Sequence, residues 1–381
     1  KRQMLPEALS NKVCSLRPNE DKFTFSAVFE INQNANIRKR WFGRTVIHSD
    51  KRFTYEDAQS IIEGEEDNLI GEELLIMDSI AKDLREKRIK DGAIAFDRAE
   101  VKFKLDADNE PIGAALKVAQ DSNKLIEEFM LLANKHVANY IGRQDDGKRN
   151  SRTMIFRVHD HPDPLKLETL SQFVRPMGYN LATKGTQAVR KSINDLLAKV
   201  KDTPEANMLE TLTVRTMAKA VYSTQNIGHY GLAFDDYTHF TSPIRRYPDM
   251  MVHRLLQDFL EGSNSQNIGD YNDMCDYCSQ REQNASEAER SSIKFMQAKY
   301  MDKYLGEEFD GIISGVTDWG IFVEIPKMGC EGLVRLSEFK DDYYAIDKEN
   351  YRVVGERNGA DYSLGDSLRI IVKDAVSYTH L

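Results

Sequence analysis

Two consecutive arginines, Arg245 and Arg246, stand in the motif THFTSPIRRYPDMMVHRLL, where two prolines closely flank them. Ser242 precedes the first proline, which restricts it to extended geometry, and Asp249 falls in the first turn of the helical pattern that follows, where an acid suits the helix dipole. The arginines therefore lie at or just before a helix N-terminus, whose free N–H groups favour anions. A guanidinium there can bind a phosphate through two parallel hydrogen bonds. The alternative is a surface loop in which one of the arginines forms a structural ion pair.

A second group of residues lies near the C-terminus. Trp319 and Phe322 occur in DWGIFVEI, and Arg335 follows in GLVRLS. Exposed aromatic rings and a cation on one face of a small barrel form a stacking platform for single-stranded RNA, and arginine can itself stack. The alternative is that one aromatic ring belongs to the barrel core, and Phe322 is the better candidate for burial.

Three further groups contain residues of metal-binding type, but their surroundings do not favour metal binding, and the histidine pair is expected to be structural. The CDYC pair at 275–278 has zinc-knuckle spacing without a second pair. The histidines at 159 and 161 are followed by two prolines that mark a turn. Asp235 and Asp236 are adjacent acids outside any ligand pattern, and we expect them to be solvated charges.

Length, composition and charge indicate the class of protein to which these residues belong. A length of 381 residues predicts two or three domains, and 41% hydrophobic with 30% charged residues is typical of a soluble globular protein. No apolar run approaches the roughly 20 residues that span a bilayer. Four cysteines do not make a disulfide scaffold and favour a reducing cytoplasm. The net charge of -9 does not exclude nucleic acid, because local positive patches decide binding.

Periodicity predicts the elements of the first 304 residues. Alternating apolar residues at 23, 25, 27 and 29 predict a strand, IRKRWFGRTVIH is its partner, and Thr54 with Asp57 has the spacing of a capping box. A strand pair with a turn at 106–111 follows a helix whose apolar stripe, which includes Leu75 and Met77, is expected to be buried. The predicted helices cover residues 71–88, 121–140, most of 164–222, 246–261 and 270–304.

The sequence changes in character after Leu305. Short β-rich segments punctuated by glycine, such as FDGIISGVTDWGIFVEI, predict a small barrel. We therefore expect one domain over residues 1–304 and a barrel over 305–376. Residues 377–381 break the pattern of the last strand and are expected to be a tail that is foreign to the barrel.

The long motif around the arginines carries a family resemblance. HYGLAFDDYTHFTSPIRRYPDMMVHR resembles the signature of the ribonuclease II and ribonuclease R family, and MLPEALSNKVCSLRPNEDKFTFS, RFTYEDAQ, GAIAFDRAEVKFKLD and LIEEFMLLANKHVA resemble successive other blocks of it. The resemblance covers nearly the whole chain and leans towards ribonuclease R. It implies an α+β fold: a ribonuclease II-type catalytic domain, with a mixed β-sheet and surrounding helices, incomplete at its N-terminus. A small all-β OB-type barrel that binds RNA follows.

The resemblance also implies a function. Members are processive, hydrolytic 3′→5′ exoribonucleases that release nucleoside 5′-monophosphates from single-stranded RNA during RNA decay, and act as cytoplasmic monomers with Mg²⁺ held by aspartates. Arg245 matches the arginine that stabilises charge on the scissile phosphate, with Arg246 beside it. The family's aspartate block precedes MLPEALSN, so the Mg²⁺ ligands are expected upstream of Lys1 and the 381 residues alone are expected to be inactive. The alternative is a non-catalytic RNA-binding module.

The resemblance extends to further site residues. It implies that one of Glu127 and Glu128 contacts the RNA ribose, whereas the alternative is a solvated acidic pair near the start of a helix, where acids suit the dipole. The residues predicted to contact RNA are Glu127, Glu128, Asn134, Tyr237, Thr241, Ser242, Trp319, Phe322 and Arg335.

Overall fold

The computed structural model describes residues 5–376 except 66–68, 97–99, 145, 202, 204–205, 264–265 and 348–349, so the predicted tail at 377–381 lies outside the described residues. The chain divides into two compact units. The first unit comprises Lys1–Ile94, Ala119–His161 and Ala218–Glu282, and the second comprises Ala95–Val118, Pro162–Met217 and Gln283–Leu381. The predicted boundary near Leu305 falls within the second unit and stays a prediction.

Helices and strands are interspersed up to the end of α8, and the remaining strands follow it. The helices are α1 (Tyr55–Ile62), α2 (Gly71–Lys90), α3 (Asp121–Gly142), α4 (Pro164–Val174), α5 (Thr186–Val200), α6 (Ala206–Thr216), α7 (Tyr247–Leu260) and α8 (Ile268–Met301). The strands before α8 are β1 (Asp21–Ile31), β2 (Ile37–His48), β3 (Glu100–Leu105), β4 (Pro111–Lys117), β5 (Phe156–Val158) and β6 (Val221–Ser223). The strands after it are β7 (Glu308–Thr317), β8 (Gly320–Ile325), β9 (Cys330–Arg335), β10 (Tyr344–Asp347), β11 (Arg352–Gly355), β12 (Asp361–Ser363) and β13 (Ser367–Ile371). The predicted helices and strand pairs are confirmed, with ends shifted by a few residues.

The antiparallel pair β1–β2 presents one apolar face to the core of the first unit. Phe25, Ala27 and Phe29 pack against a cluster that includes Phe42 and the helices α3 and α7. The predicted alternation is therefore confirmed for these three positions, because side chains two residues apart share a face of a strand. Phe23 continues the pattern but is 93% exposed, since it lies near the end of the strand beyond the cluster.

The capping box at α1 is present as predicted. The Thr54 side chain accepts from the Asp57 backbone N–H, and the Asp57 carboxylate accepts from the Thr54 backbone N–H. These two bonds satisfy N–H groups that a helix start otherwise leaves without partners.

The stripe predicted for α2 is partly wrong. Leu75 and Met77 are exposed, whereas Asp78 and Arg88 are buried on the same helix. The Asp78 carboxylate accepts from the Lys82 ammonium at 2.7 Å, and Arg88 pairs with an acid on α3. Paired charges can therefore occupy positions that an apolar pattern assigns to solvent.

The second unit contains the β3–β4 hairpin, α4–α6, the last part of α8 and the C-terminal β region, defined as β7–β13. This region forms a four-stranded antiparallel sheet in the order β13-β7-β8-β9 and a three-stranded sheet in the order β10-β11-β12. Tyr300 and Met301 from the end of α8 pack with Ile325 and Cys330. The predicted fold class, a mixed α and β part followed by a small all-β part, is confirmed.

In the described part of the chain, no helix has both the length and the apolar character needed to cross a membrane. All four cysteines, at positions 14, 275, 278 and 330, are unbridged.

Candidate RNA-contacting site

A tight turn leads into α7 and carries the two arginines. The Ser242 carbonyl accepts from the backbone N–H of Arg245 at 3.3 Å and of Arg246 at 3.0 Å. Pro243 follows Ser242 inside this turn, and Pro248 lies in the first turn of α7, where a missing N–H costs no helical bond. The prediction that the arginines stand just before a helix N-terminus is confirmed, since Arg246 is the N-cap residue.

Arg246 is held in an ion pair with a fully buried carboxylate. Its Nη2 donates to Asp249 Oδ2 at 2.9 Å, and its Nε lies 2.8 Å from Asp249 Oδ1 in an ion pair without hydrogen-bond geometry. Asp249 is 0% exposed, and its Oδ2 also accepts from the Ser242 backbone N–H at 2.7 Å. For Arg246, the alternative given by the sequence, a structural ion pair, is therefore what the structure has.

Arg245 presents its guanidinium to solvent. Its Nη2 donates to Ser242 Oγ at 3.2 Å, and within the described residues it forms no ion pair. Its charge is therefore available to an anion at the start of α7. Thr241, one residue before Ser242, has a buried hydroxyl without a hydrogen-bond partner in the described structure.

Asn134 and Tyr237 fix the chain that leads into the turn. Asn134 Oδ1 accepts from the Phe240 backbone N–H at 2.9 Å, and its Nδ2 donates to the Tyr237 hydroxyl at 3.2 Å. His253 Nε2 lies 2.8 Å from the Phe240 carbonyl oxygen. Burial raises the pKa of Tyr237. Both predicted RNA contacts are buried among protein groups, so their burial supports a scaffolding role rather than direct contact.

The two glutamates of α3 differ sharply in exposure. Glu128 is 3% exposed and forms a two-point pair with Arg88, whose Nε donates to Oε2 at 3.3 Å and whose Nη2 donates to Oε1. Glu127 is exposed, and its Oε1 lies 3.8 Å from the same Arg88 Nη2. The alternative of a solvated acidic pair is therefore wrong for Glu128. Of the two glutamates, Glu127 has the side chain that is accessible to a ribose.

A desolvated region borders the motif and contains two paired arginines, Arg157 with Glu282 and Arg246 with Asp249, and periodicity alone did not predict it. His239 Nδ1 lies 2.8 Å from the Tyr222 hydroxyl, and the Arg157 guanidinium lies 4.6 Å from the Tyr222 ring centre. Burial, followed by the charges of Arg246 and Arg157, lowers the pKa of His239 to about 2. His239 is therefore neutral at physiological pH, chiefly because burial disfavours its charged form.

Asp236 corrects the expectation of a solvated acid pair. Its carboxylate is 6% exposed and accepts from Arg143 Nε at 2.5 Å and from Asn226 Nδ2 at 2.8 Å. Asp235 remains exposed. The interior position of Asp236 is stable because both carboxylate oxygens have donors.

The predicted stacking residues lie around one end of the β8–β9 pair. Trp319 is in the two-residue turn between β7 and β8 and is 78% exposed. Phe322 pairs with Leu333 on the face opposite the buried Ile321, and it is only partly buried. Arg335 pairs with Gly320, two residues from Phe322, so it shares that face. Trp319 therefore precedes the strand that carries Phe322.

The family model described as the RNB domain matches residues 2–262, which is more than half of the chain. The chain belongs to the RNB domain family. A second model, described as the S1 RNA binding domain, matches residues 304–370 of this RNB chain and covers most of the C-terminal β region.

The RNB chain is similar to ribonuclease R of Aquifex aeolicus, with 36% identity over 376 residues, which cover 96% of this chain and 52% of that relative. Mycoplasma genitalium RNase R in complex with ribose-methylated single-stranded RNA has a TM-score of 0.89 at 26% identity, covering 98% of this chain and 59% of that one. Yeast Ssd1, a pseudonuclease, shares the fold with a TM-score of 0.70 at 21% identity, covering 92% and 43%. The RNB chain spans about half the length of the curated relatives it matches.

Nucleases of the RNB family are generally metal-dependent. Across the described residues of this RNB chain, no group of three or more His, Cys, Asp or Glu side chains is placed to hold a metal ion. Asp236 is committed to Arg143, and Asp249 is committed to Arg246. The described residues therefore do not fit a Mg²⁺ site, and the expectation of ligands upstream of Lys1 stays a prediction.

Proposed function

We propose that the protein carrying this chain is a processive 3′→5′ exoribonuclease that hydrolyses single-stranded RNA to nucleoside 5′-monophosphates in cytoplasmic RNA turnover, acting as a monomer. Membership of the RNB family and similarity to ribonuclease R support this proposal. The structural observation that carries it is Arg245, whose guanidinium is exposed at the N-terminus of α7 while its neighbour Arg246 is tied to Asp249.

Arg245 has the chemistry to stabilise a phosphate on which negative charge grows. The planar guanidinium can donate two parallel hydrogen bonds to two phosphate oxygens, and the helix N-terminus adds a positive dipole end. A donor that is already in place when charge develops stabilises the transition state more than the bound substrate.

We propose Mg²⁺ as the cofactor, supplied with ligands from outside the described residues. Glu127 is proposed as the ribose contact because its side chain is exposed, whereas Glu128 is buried and paired with Arg88. Arg246 is retained as a structural neighbour of Arg245, and Thr241 and Ser242 as groups that line the turn.

In the C-terminal β region, we propose that Trp319, Phe322 and Arg335 bind single-stranded RNA. Trp319 offers an exposed ring in the turn before β8, and Arg335 offers a cation on the face that Phe322 shares. Stacking of bases on aromatic rings is sequence-tolerant because every base has a π-face. An enzyme that removes nucleotides regardless of sequence needs such contacts.

The second candidate is an RNA-binding module without catalysis. The observation that favours it is that no described group of side chains fits a metal ion. The fold alone does not discriminate the two candidates, since a pseudonuclease shares it.

Digestion of end-labelled RNA tests the proposal. The protein is mixed with Mg²⁺ and an unstructured RNA labelled at its 5′ end, the same RNA labelled at its 3′ end, or a circular RNA of the same sequence. We expect immediate release of the 3′ label as a nucleoside 5′-monophosphate, appearance of the 5′ label in a short product only at the end of digestion, and an intact circle. RNA binding in a gel shift with every substrate intact would support the binding module and contradict the exoribonuclease.

A further inference from the structure

We infer that Asp249 is a positioning residue that fixes the turn presenting Arg245, so that it controls turnover without touching RNA. This inference rests on the proposed role of Arg245. Asp249 itself is inaccessible, because it is 0% exposed beneath the turn.

One carboxylate holds both ends of the turn. Asp249 Oδ2 accepts from the backbone N–H of Ser242 at 2.7 Å, where the turn begins. The same oxygen accepts from Arg246 Nη2 at 2.9 Å, where the turn ends, and Oδ1 lies 2.8 Å from Arg246 Nε. Arg245 lies between these two anchors, and its own Nη2 donates to Ser242 Oγ. Ser242, whose hydroxyl accepts from the Arg245 guanidinium, is therefore itself held by Asp249.

The approach to the turn is fixed from the opposite side. Phe240 donates its backbone N–H to Asn134 Oδ1, and its carbonyl oxygen lies 2.8 Å from His253 Nε2. Asn134 is on α3, while His253 and Asp249 are both on α7. The segment from Phe240 to Arg246 is thus bonded to two packed helices through side chains, which leaves Arg245 as its exposed cation.

Removing the charge of the buried Asp249 carboxylate should have a large effect on the geometry of the turn. A carboxylate in the interior requires partners that compensate its charge: Oδ2 accepts from Ser242 and Arg246, and Oδ1 lies beside the Arg246 Nε in the ion pair. An amide in the same place keeps the shape but loses the charge, so the Arg246 guanidinium would lack its counter-ion and the turn would lose its preferred arrangement. A small displacement of a preorganised donor lowers the rate far more than it lowers substrate affinity.

A double-mutant cycle tests the inference in the protein that carries this chain. The variants are Asp249→Asn, Arg245→Lys and their combination, with kcat and the dissociation constant for single-stranded RNA measured for each. We expect Arg245→Lys to lower kcat on the order of 100-fold and Asp249→Asn on the order of 10- to 100-fold, with little change in RNA affinity. The double variant should be no slower than Arg245→Lys alone, because both substitutions remove the same interaction, that of the Arg245 guanidinium with the phosphate.

Asp236→Asn provides the matched control. Asp236 is also a buried aspartate paired with an arginine, but its partners are Arg143 and Asn226, away from the turn. Asp236→Asn should lower thermal stability as Asp249→Asn does. Any change that it causes in kcat should multiply with the effect of Arg245→Lys, because the two sites act independently. If Asp249→Asn also multiplied with Arg245→Lys, the positioning role would be overturned while the proposed function of Arg245 stood.

Chemical labelling provides a readout that does not depend on turnover. Phenylglyoxal, which reacts with accessible guanidinium groups, should label Arg245 and spare Arg246 in the wild-type chain, and RNA should protect Arg245. In Asp249→Asn we expect labelling of Arg246 and weaker protection of Arg245, and an unlabelled Arg246 would overturn the inference. If Asp249→Asn does not fold, Arg246→Lys takes its place in the double-mutant cycle, because a lysine cannot reach both carboxylate oxygens at once. In the labelling experiment the readout for Arg246→Lys is the protection of Arg245 by RNA, and protection equal to that of the wild type would overturn the inference.

If Arg245→Lys leaves kcat unchanged, the proposed catalytic role of Arg245 is wrong. The labelling result then decides separately whether Asp249 holds the turn.

Discussion

Replacing Trp319 by alanine should weaken RNA binding and leave the fold intact. The ring is 78% exposed in the turn between β7 and β8, so its removal takes no side chain out of the core. Substitutions at such surface positions usually change the free energy of unfolding by less than about 0.5 kcal/mol. One stacked base contributes about 1–3 kcal/mol, which corresponds to a roughly 5- to 150-fold rise in the dissociation constant.

The assay is fluorescence anisotropy with a labelled, unstructured RNA at one low salt concentration, without divalent metal so that the RNA stays intact. Trp319→Phe keeps a stacking ring and should retain most of the affinity. Tyr343→Ala removes another exposed aromatic residue of the C-terminal β region, outside β8 and β9, and should have little effect. A dissociation constant for Trp319→Ala equal to that of the wild type would show that the platform is wrongly placed.

Three further predictions concern charge. Arg335→Gln should lower the slope of log Kd against log salt by about 0.7, the value for one phosphate contact with a single strand, as measured by anisotropy across a salt series. Glu128→Gln should destabilise the chain by about 3–5 kcal/mol in denaturant unfolding, because it breaks the buried pair with Arg88, whereas Glu127→Gln should change stability by less than about 0.5 kcal/mol. Burial lowers the pKa of His136 from 6.5 to about 4, so the unfolded chain binds more protons between these values and stability should fall as pH is lowered from 6.5 towards 4. His136→Gln should reduce that pH dependence in thermal melts, and an unchanged dependence would show that other groups cause it.

Local patterns in the sequence predicted local structure well. The alternation of Phe25, Ala27 and Phe29 marked the buried face of β1, and the spacing of Thr54 and Asp57 marked the start of α1. These features depend on residues within a few positions of each other, and their geometry follows directly from the strand and helix periods. The position of Arg245 before α7 follows from the same kind of local pattern, in this case proline placement and a helix dipole.

Charges that find partners far along the chain were not predictable in this way. Asp236 was expected in solvent but is paired with Arg143, and Glu128 is paired with Arg88 on another helix. Burial of an ionised group is favourable only when a partner is present, and an adjacent-residue pattern does not identify a partner 40 or 93 positions away. The different environments of Arg245 and Arg246 have the same origin. Asp249 is buried below the turn and pairs with Arg246, which leaves Arg245 exposed.

The separation of turnover from RNA affinity in Arg245→Lys tests the central claim most directly. Single-turnover digestion at saturating protein gives the rate of hydrolysis, and anisotropy without metal gives the dissociation constant for the same RNA. We predict a loss on the order of 100-fold in rate with a nearly unchanged dissociation constant, because lysine keeps the charge but loses the planar two-point donor. Binding that is tenfold weaker with a normal rate at saturation would contradict the claim and make Arg245 a contact that positions RNA.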